Sequence, residues 1–395
     1  MINDRLNPVV ILHMTATGLA VARSLGKRGV PVYGVDGHKF EIGHKSKYVL
    51  PSAISFTEYK DTCLADKLIL FAKQDLKKRP VLYIAGDEYL SALIDHLPAL
   101  SQYYIMPACY RLGHAKQFID KEIFYRKCQH HNLDIPITLY SKNSSNDVID
   151  QNLRFPILLK PSLGHEWKSI LGSNKVFIIH NKEQLNRLFC DIGDKKNSLM
   201  IQELIPGNDD SIYQLSVYID DSGVPLEIMC SRKIRQHPNN FGIGSLIKTI
   251  WLEELVDRAL KDLAKLDFRG ICDIEYKLDQ RNHCWKLIEI NPRVGMYFAL
   301  CEYAGCNLIW NSYCNLIDRR ELKENSHRQK ENFTWQYLAR DIPAFFKKIV
   351  SWGVKKQDLI NFLNFRDKIE PVLSVQDFGC TIYYPFYIIK KFFQF

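Results

Sequence analysis

Residues 285–295 read WKLIEINPRVG. Along an extended strand, successive side chains point to opposite faces. Glu289, Asn291 and Arg293 therefore share one side while Ile288 and Ile290 take the other, with Pro292 ahead of the arginine. An acid, an amide and a guanidinium in one row on an apolar strand need a physical reason. The preceding strand, 271–279, repeats the pattern: Asp273, Glu275 and Lys277 on one face, Cys272, Ile274 and Tyr276 on the other.

A register that sets Glu275 opposite Glu289 also sets Asp273 opposite Asn291. Carboxylates directly opposed across a strand pair repel unless a positive charge sits between them. A hard divalent cation meets that need, and Mg2+ characteristically takes one or two carboxylates together with substrate phosphates. A solvated sheet face is the competing reading of the acids alone. The amide and the arginine that extend the same row tilt the balance toward a binding site.

The rest of the chain bounds what such a site can serve. With 395 residues, 46% hydrophobic and 25% charged, the sequence suits a soluble protein of two or three domains. No run approaches the roughly 18–20 apolar residues of a membrane span. The start, MINDRLNPVV, lacks the basic flank and apolar core of a secretory signal. Eleven cysteines, scattered and without a C-x-x-C pair, read as reduced thiols, so a cytoplasmic setting is expected. The formal charge of +9 suits anionic small molecules. No basic-aromatic stripe supports nucleic-acid binding.

The first third alternates short β runs (PVVIL, VPVYGVD, PVLYIAG) with helical stretches, implying a parallel, doubly wound sheet. Segment 114–132 reads as a helix opening a second domain. From FPILLKP the signals change to hairpins, of which IYQLSVYIDDSGVPLEIMCSRKI carries the strongest turn, DDSG. A helix near 252–266 and the acidic hairpin follow. From about Arg319 the chain turns polar, then helical and aromatic-rich.

At EINPR the chain resembles the ATP-grasp family, in which an acid on one core strand and an E-x-N motif followed by Arg on the next hold Mg2+ on ATP. The resemblance covers about residues 8–317. It implies mixed α/β and α+β architecture: a Rossmann-like pre-ATP-grasp domain over 1–112, a two-lobed ATP-grasp domain over 113–318, and a C-terminal extension over 319–395. Glu275, Glu289 and Asn291 would be metal ligands, with Mn2+ able to replace Mg2+. Arg293 would face the transferred phosphate and the reacting acyl group.

The same resemblance implies two phosphate-binding lysines. FIDKEIFY supplies Lys121, and FPILLKP supplies Lys160 at the end of an apolar strand. A lysine there either snorkels to water or meets an anion. MIQELIPGNDDS matches the adenine hinge, through the backbone of Gln202, Glu203 and Ile205, with Asp209 or Asp210 for the ribose. The phosphate-covering loop departs from the glycine-rich pattern. PSLGHEWKSILGSNK holds only Gly164 and Gly172, with Lys175 at the family-like position. It is similar to loops of ATP-grasp proteins from bacterial surface-polysaccharide clusters. In CSRKIRQHP, strand alternation allows either Lys233 with Arg235, or Arg232 alone, to reach the phosphates. A solvated basic face is the other reading.

His13 stands where a G-x-G-x-x-G turn wants its first glycine, which argues against a nicotinamide oxidoreductase. The resemblance implies a carboxylate–amine ligase working through an acyl phosphate, acting on a sugar acid or amino acid. An ATP-binding kinase-like or regulatory protein of the same fold is the alternative. Small-molecule carboxylate and amine are the expected partners, and a homodimer is compatible. The tail FGCTIYYPFYIIKKFFQF is expected to pack on the core or a second subunit rather than lie on a membrane, because Pro385 interrupts it.

Overall fold

The computed structural model describes residues 6–38, 40–51, 54, 63–140, 153–161, 176–193, 199–238, 241–322, 328–350, 354, 356–363 and 366–392. Three sheets organise them. The first is parallel, in the order β3-β2-β1-β4, from β1 (Val9–Leu12), β2 (Val32–Val35), β3 (Val49–Leu50) and β4 (Val81–Ile84). Its strands are short apolar runs because both faces are covered. Val10 and Leu12 enter one hydrophobic core, while Val9 and Ile11 enter another.

The turn from β1 into helix Ala16–Gly26 is made by His13 at φ 77, a conformation that favours glycine. Gly18 makes room for it: a Cβ there would lie 2.3 Å from the His13 carbonyl oxygen. The phosphate-turn glycine is thus absent in residue type, though its backbone shape is retained.

The second sheet is antiparallel, in the order β5-β8-β6-β7, from β5 (Thr138–Tyr140), β6 (Ile157–Pro161), β7 (Phe177–Ile179) and β8 (Leu199–Glu203). Helix Lys121–His130 precedes it, and Asp120 caps that helix by accepting from the Ile123 amide at 3.0 Å. A small core of Leu153, Ile157, Leu159, Ile179, Leu185 and Ile201 serves this lobe alone.

The third sheet has seven strands in the order β13-β12-β9-β10-β11-β14-β15. They are β9 (Ile212–Ile219), β10 (Pro225–His237), β11 (Ile243–Thr249), β12 (Gly270–Asp279), β13 (Cys284–Asn291), β14 (Thr334–Gln336) and β15 (Lys368–Ile369). The expected DDSG hairpin joins β9 to β10. Asp220 accepts from the Ser222 hydroxyl at 2.7 Å and the Val224 amide at 2.9 Å, and Gly223 takes φ 89. Helix Glu253–Lys265 buries Leu255, Val256, Ala259 and Leu263, a spacing of one apolar helical face.

The C-terminal extension is helical, as expected, but it also adds β14 and β15 to the edge of the large sheet. Helix Phe378–Phe392 returns to the first sheet's domain and runs on through Pro385, against the expected interruption. Cys380, Tyr384 and Tyr387 are buried in the core shared with β1 and β4. Arg23 pairs with Asp377 at 2.8 Å, and Lys391 with Glu41 at 2.9 Å. The outward face leaves Phe378, Ile382, Phe386 and Ile389 exposed. Among the described residues no helix is long and apolar enough to cross a membrane.

Candidate active site

The acidic hairpin pairs in the expected register, Glu275 opposite Glu289 and Asp273 opposite Asn291. Tyrosines from outside the sheet hold the row in place. Tyr125 donates to the Ile288 carbonyl and Tyr110 to the Pro292 carbonyl, each at 2.6 Å. Both hydroxyls serve main-chain oxygens, so the strand end and the loop that carries Arg293 are fixed without using site side chains.

Glu275 is nearly buried and lies among donors. Lys233, from β10, reaches across β9 to both its carboxylate oxygens, at 2.7 and 2.9 Å, and Gln214 donates to it at 2.9 Å. Burial pushes the Glu275 carboxyl up against the pull of Lys233. Burial also opposes the Glu289 carboxylate, but Lys121 and Lys233 outweigh it and hold its pKa below the usual range. Asn291 donates to Glu289 at 3.1 Å. Asp273 is buried and accepts from the Tyr297 hydroxyl at 2.5 Å; burial, then the neighbouring Glu275 charge, raise its pKa to about 7.

Facing the hairpin are the lysines of the second lobe. Lys160 ends β6 and donates to Gln202 at 2.8 Å; Gln202 in turn donates to Thr138 at 2.9 Å. Burial in the cleft, then repulsion from Lys121, bring the Lys160 pKa down to about 7, with Glu289 and Glu275 pulling the other way. Lys277 shares the cleft and is likewise lowered by burial. The cleft therefore holds cations that repel one another, opposite carboxylates that are themselves crowded. Both strains would be relieved by a polyanion carrying a divalent cation.

Comparison with known proteins bears on the fold that carries this geometry. Residues 245–313 match the family model described as carbamoyl-phosphate synthase L chain, ATP binding domain. The chain is 28% identical over 264 residues to a D-aspartate ligase of Enterococcus faecium, covering 63% of this chain and 62% of that protein. It is 22% identical over 303 residues to the carbamoyl phosphate synthase large chain of a Thermoanaerobacter species, covering 73% of this chain and 27% of that one. It thus spans less than two thirds of either relative's length. Among solved structures, N5-carboxyaminoimidazole synthetase from Staphylococcus aureus superposes with TM-score 0.62 at 14% identity, over 89% of this chain and 88% of that one. The ADP complex of purK gives TM-score 0.61 at 12% identity, over 83% and 81%.

The chain has the ATP-grasp fold.

Within that ATP-grasp frame, Lys121, Lys160, Glu275, Glu289, Asn291 and Arg293 fall within one electrostatic neighbourhood. At the expected hinge, β8 ends at Glu203, whose side chain accepts from the Ile137 amide at 3.1 Å and pairs with Arg281. Ile205 is buried, and Gly207 turns the chain at φ 115 toward Asp209 and Asp210. Asp209 accepts from Gln236 at 2.7 Å, and Asp210 pairs with Arg232 at 3.3 Å. Arg232 also lies 5.5 Å over the Tyr213 ring. Lys175 and the loop around it lie outside the described residues.

Arg235 needs correction. A row of Lys233 with Arg235 is broken by register shifts on either side of Arg235, which turn it out of Lys233's line. Its guanidinium is buried, ion-paired with Asp341 at 2.8 Å and set against the rings of Phe345 and Phe362. Strand alternation left Lys233 with Arg235, or Arg232 alone, as the row facing the phosphates, and could not reveal the bulge that separates Arg235 from Lys233. Gln214 and Asp87 escaped the sequence reading. Arg293 is bound side-on by Asp87, with Nη2 donating at 2.6 Å and Nε donating to the other oxygen. Asp87 begins helix Asp87–Leu93 after β4, and no local pattern ties it to residue 293.

Proposed function

We propose that this protein is an ATP- and Mg2+-dependent carboxylate–amine ligase. The observation that carries the reading is the opposition of two sets of groups. Glu289, Asn291 and Arg293 form one row with Glu275 opposite Glu289 on the neighbouring strand, against Lys121, Lys160 and Lys233. The hinge at Gln202, Glu203 and Ile205 supports an adenine on one side, and Asp209 or Asp210 a ribose.

The donor set fits Mg2+. It is all oxygen, and Gln214 has a buried Oε1 with no partner beside Glu275. Among the described residues no three His, Cys, Asp or Glu gather as a self-sufficient metal cage, which suits an ion that shares its shell with phosphates. When bound, the ion would neutralise charge on the transferred phosphoryl group.

The chain's own part is electrostatic. Lys121 and Lys160 would hold the phosphates, and Lys233 draws Glu275 toward its ionised form beside them. Arg293 stabilises the reacting acyl oxygen. A substrate carboxylate oxygen attacks the γ-phosphorus, the bond to ADP breaks, and an acyl phosphate forms. The amine then attacks the carbonyl carbon, loses a proton and expels phosphate, leaving an amide. The similarity to a D-aspartate ligase and the loop's likeness to polysaccharide-cluster proteins support an amino acid or sugar acid of cell-surface biosynthesis as substrate. ADP release that requires both a carboxylate and an amine tests the reading. ADP release without any need for the amine would favour a kinase-like activity.

A further inference from the structure

The Asp87–Arg293 pair lies where the two halves of the candidate site meet. Arg293 ends the EINPR row, and Asp87 follows β4 at the carboxyl end of the first sheet. That sheet reverses its order between β1 and β4, and open α/β sheets take ligands outside the carboxyl ends of strands at such a point. The residues there come from three strand ends: His13, Asp36, and Asp87 with Glu88.

Their charges decide what fits. Asp36 is committed to the fold, accepting from the Met14 amide at 2.6 Å, the His38 amide at 2.9 Å and the Tyr89 hydroxyl at 2.9 Å. Glu88 faces His13 at 3.4 Å and stays partly open. Arg293 is 16% exposed at its side chain while Asp87 is 53% exposed, so the aspartate is the accessible member of the pair. Beyond Arg293 these strand ends therefore present carboxylates, whereas Lys121 and Lys160 lie toward Glu289 and Glu275. A substrate bearing only negative charge would draw Arg293 from Asp87 and be left facing Asp87 and Glu88 at close range. A zwitterion exchanges one ion pair for two: its carboxylate takes Arg293 and its ammonium takes Asp87.

Building on the ligase reading, we infer that the carboxylate activated here belongs to an amino acid, whose ammonium group Asp87 binds beside Arg293. The arrangement also answers a chemical problem. An amino acid activated at its carboxylate carries its own nucleophile. Holding that nitrogen as an ammonium on Asp87 keeps its lone pair protonated, so the acyl phosphate passes to the second substrate instead of to another copy of the first.

The test pairs each amino acid with its desamino analogue, with hydroxylamine as the accepting amine: D- and L-aspartate against succinate, D- and L-glutamate against glutarate, alanine against propionate. Glucuronate and galacturonate complete the panel. ADP and hydroxamate are measured together. At least one amino acid is expected to exceed its desamino partner by roughly tenfold or more in kcat/KM, because a site built around a charged group rejects the analogue that lacks it. Asp87→Asn should shrink that ratio, raising KM for the amino acid by about tenfold while ATP affinity by calorimetry stays at the wild-type value. Preference for a uronic or desamino acid, or an unchanged ratio in folded Asp87→Asn, overturns the inference and leaves the ligase reading standing. No ADP with any member of the panel counts against both.

Discussion

Glu289 lies between two apolar neighbours, Ile288 and Ile290, and is kept ionised by Lys121 and Lys233 despite burial. Removing its charge while keeping its shape isolates the proposed metal role. Glu289→Gln should reduce ADP release by on the order of a hundredfold or more, with an unchanged melting profile. Normal turnover by the folded variant would sink the metal assignment. Asn291→Ala should be milder, since an amide contributes less charge to an ion.

Lys160 makes a pH prediction with a definite sign. Its pKa is lowered to about 7 by burial and by Lys121, so near neutrality the free site has already shed part of that proton. Phosphates restore it. ATP binding at pH 8 should therefore take up protons, visible as a buffer-dependent heat in calorimetry, and affinity should fall as pH rises above 7. Lys160→Ala should abolish that uptake and weaken ATP by roughly tenfold or more, the scale of one charge-assisted hydrogen bond. Lys121→Ala should weaken ATP similarly. Stability runs the opposite way: the unfolded lysine keeps its proton up to its ordinary range, so this residue's contribution rises with pH from about 7 upward.

At the scale of an element, β10 carries two neighbouring basic residues to different fates. Lys233 faces the acids of β12, whereas the bulge sends Arg235 to Asp341 on helix Leu338–Val350. Asp341 also accepts from Ser245 and Gln336, at 2.8 and 2.7 Å, so the pair closes a buried polar network. Arg235→Met should cost about 3–5 kcal/mol, because a buried aspartate loses its cation. Urea unfolding measures the loss, and ATP affinity of the remaining folded protein should match the wild type. A stable variant that no longer binds ATP would return Arg235 to the phosphate site.

At the scale of the whole molecule, the tail ties the two ends of the chain together. Asp377, Cys380, Tyr387 and Lys391 all engage the first domain, which itself presents Asp87 to Arg293. Deleting residues 379–395 should expose apolar surface on that domain and lower solubility or unfold it. The exposed Phe378, Ile382, Phe386 and Ile389 give the opposite outcome a physical basis. A truncated protein that stays soluble and active yet stops sedimenting with anionic vesicles would make the tail a membrane contact.

What the sequence determined alone is whatever rests on local periodicity. The row Glu289, Asn291, Arg293 and its register against Asp273 and Glu275 follow from the period of two and from the hairpin that joins the strands. The helices and parallel strands of the first domain follow from apolar spacing, and the DDSG turn from residues that accept positive φ. Tertiary structure alone decided the rest. A bulge changes side-chain direction without leaving a hydrophobic signature, so Arg235 could not be separated from Lys233 by counting. Asp87 meets Arg293 across more than two hundred residues because a sheet edge and a loop converge, and no pattern within either segment encodes the other. Gln214 joins Glu275 only because β9 lies between β10 and β12, an order set by how the sheet packs. Local sequence specifies which groups a strand can present; the long-range burial of apolar faces selects which of them meet.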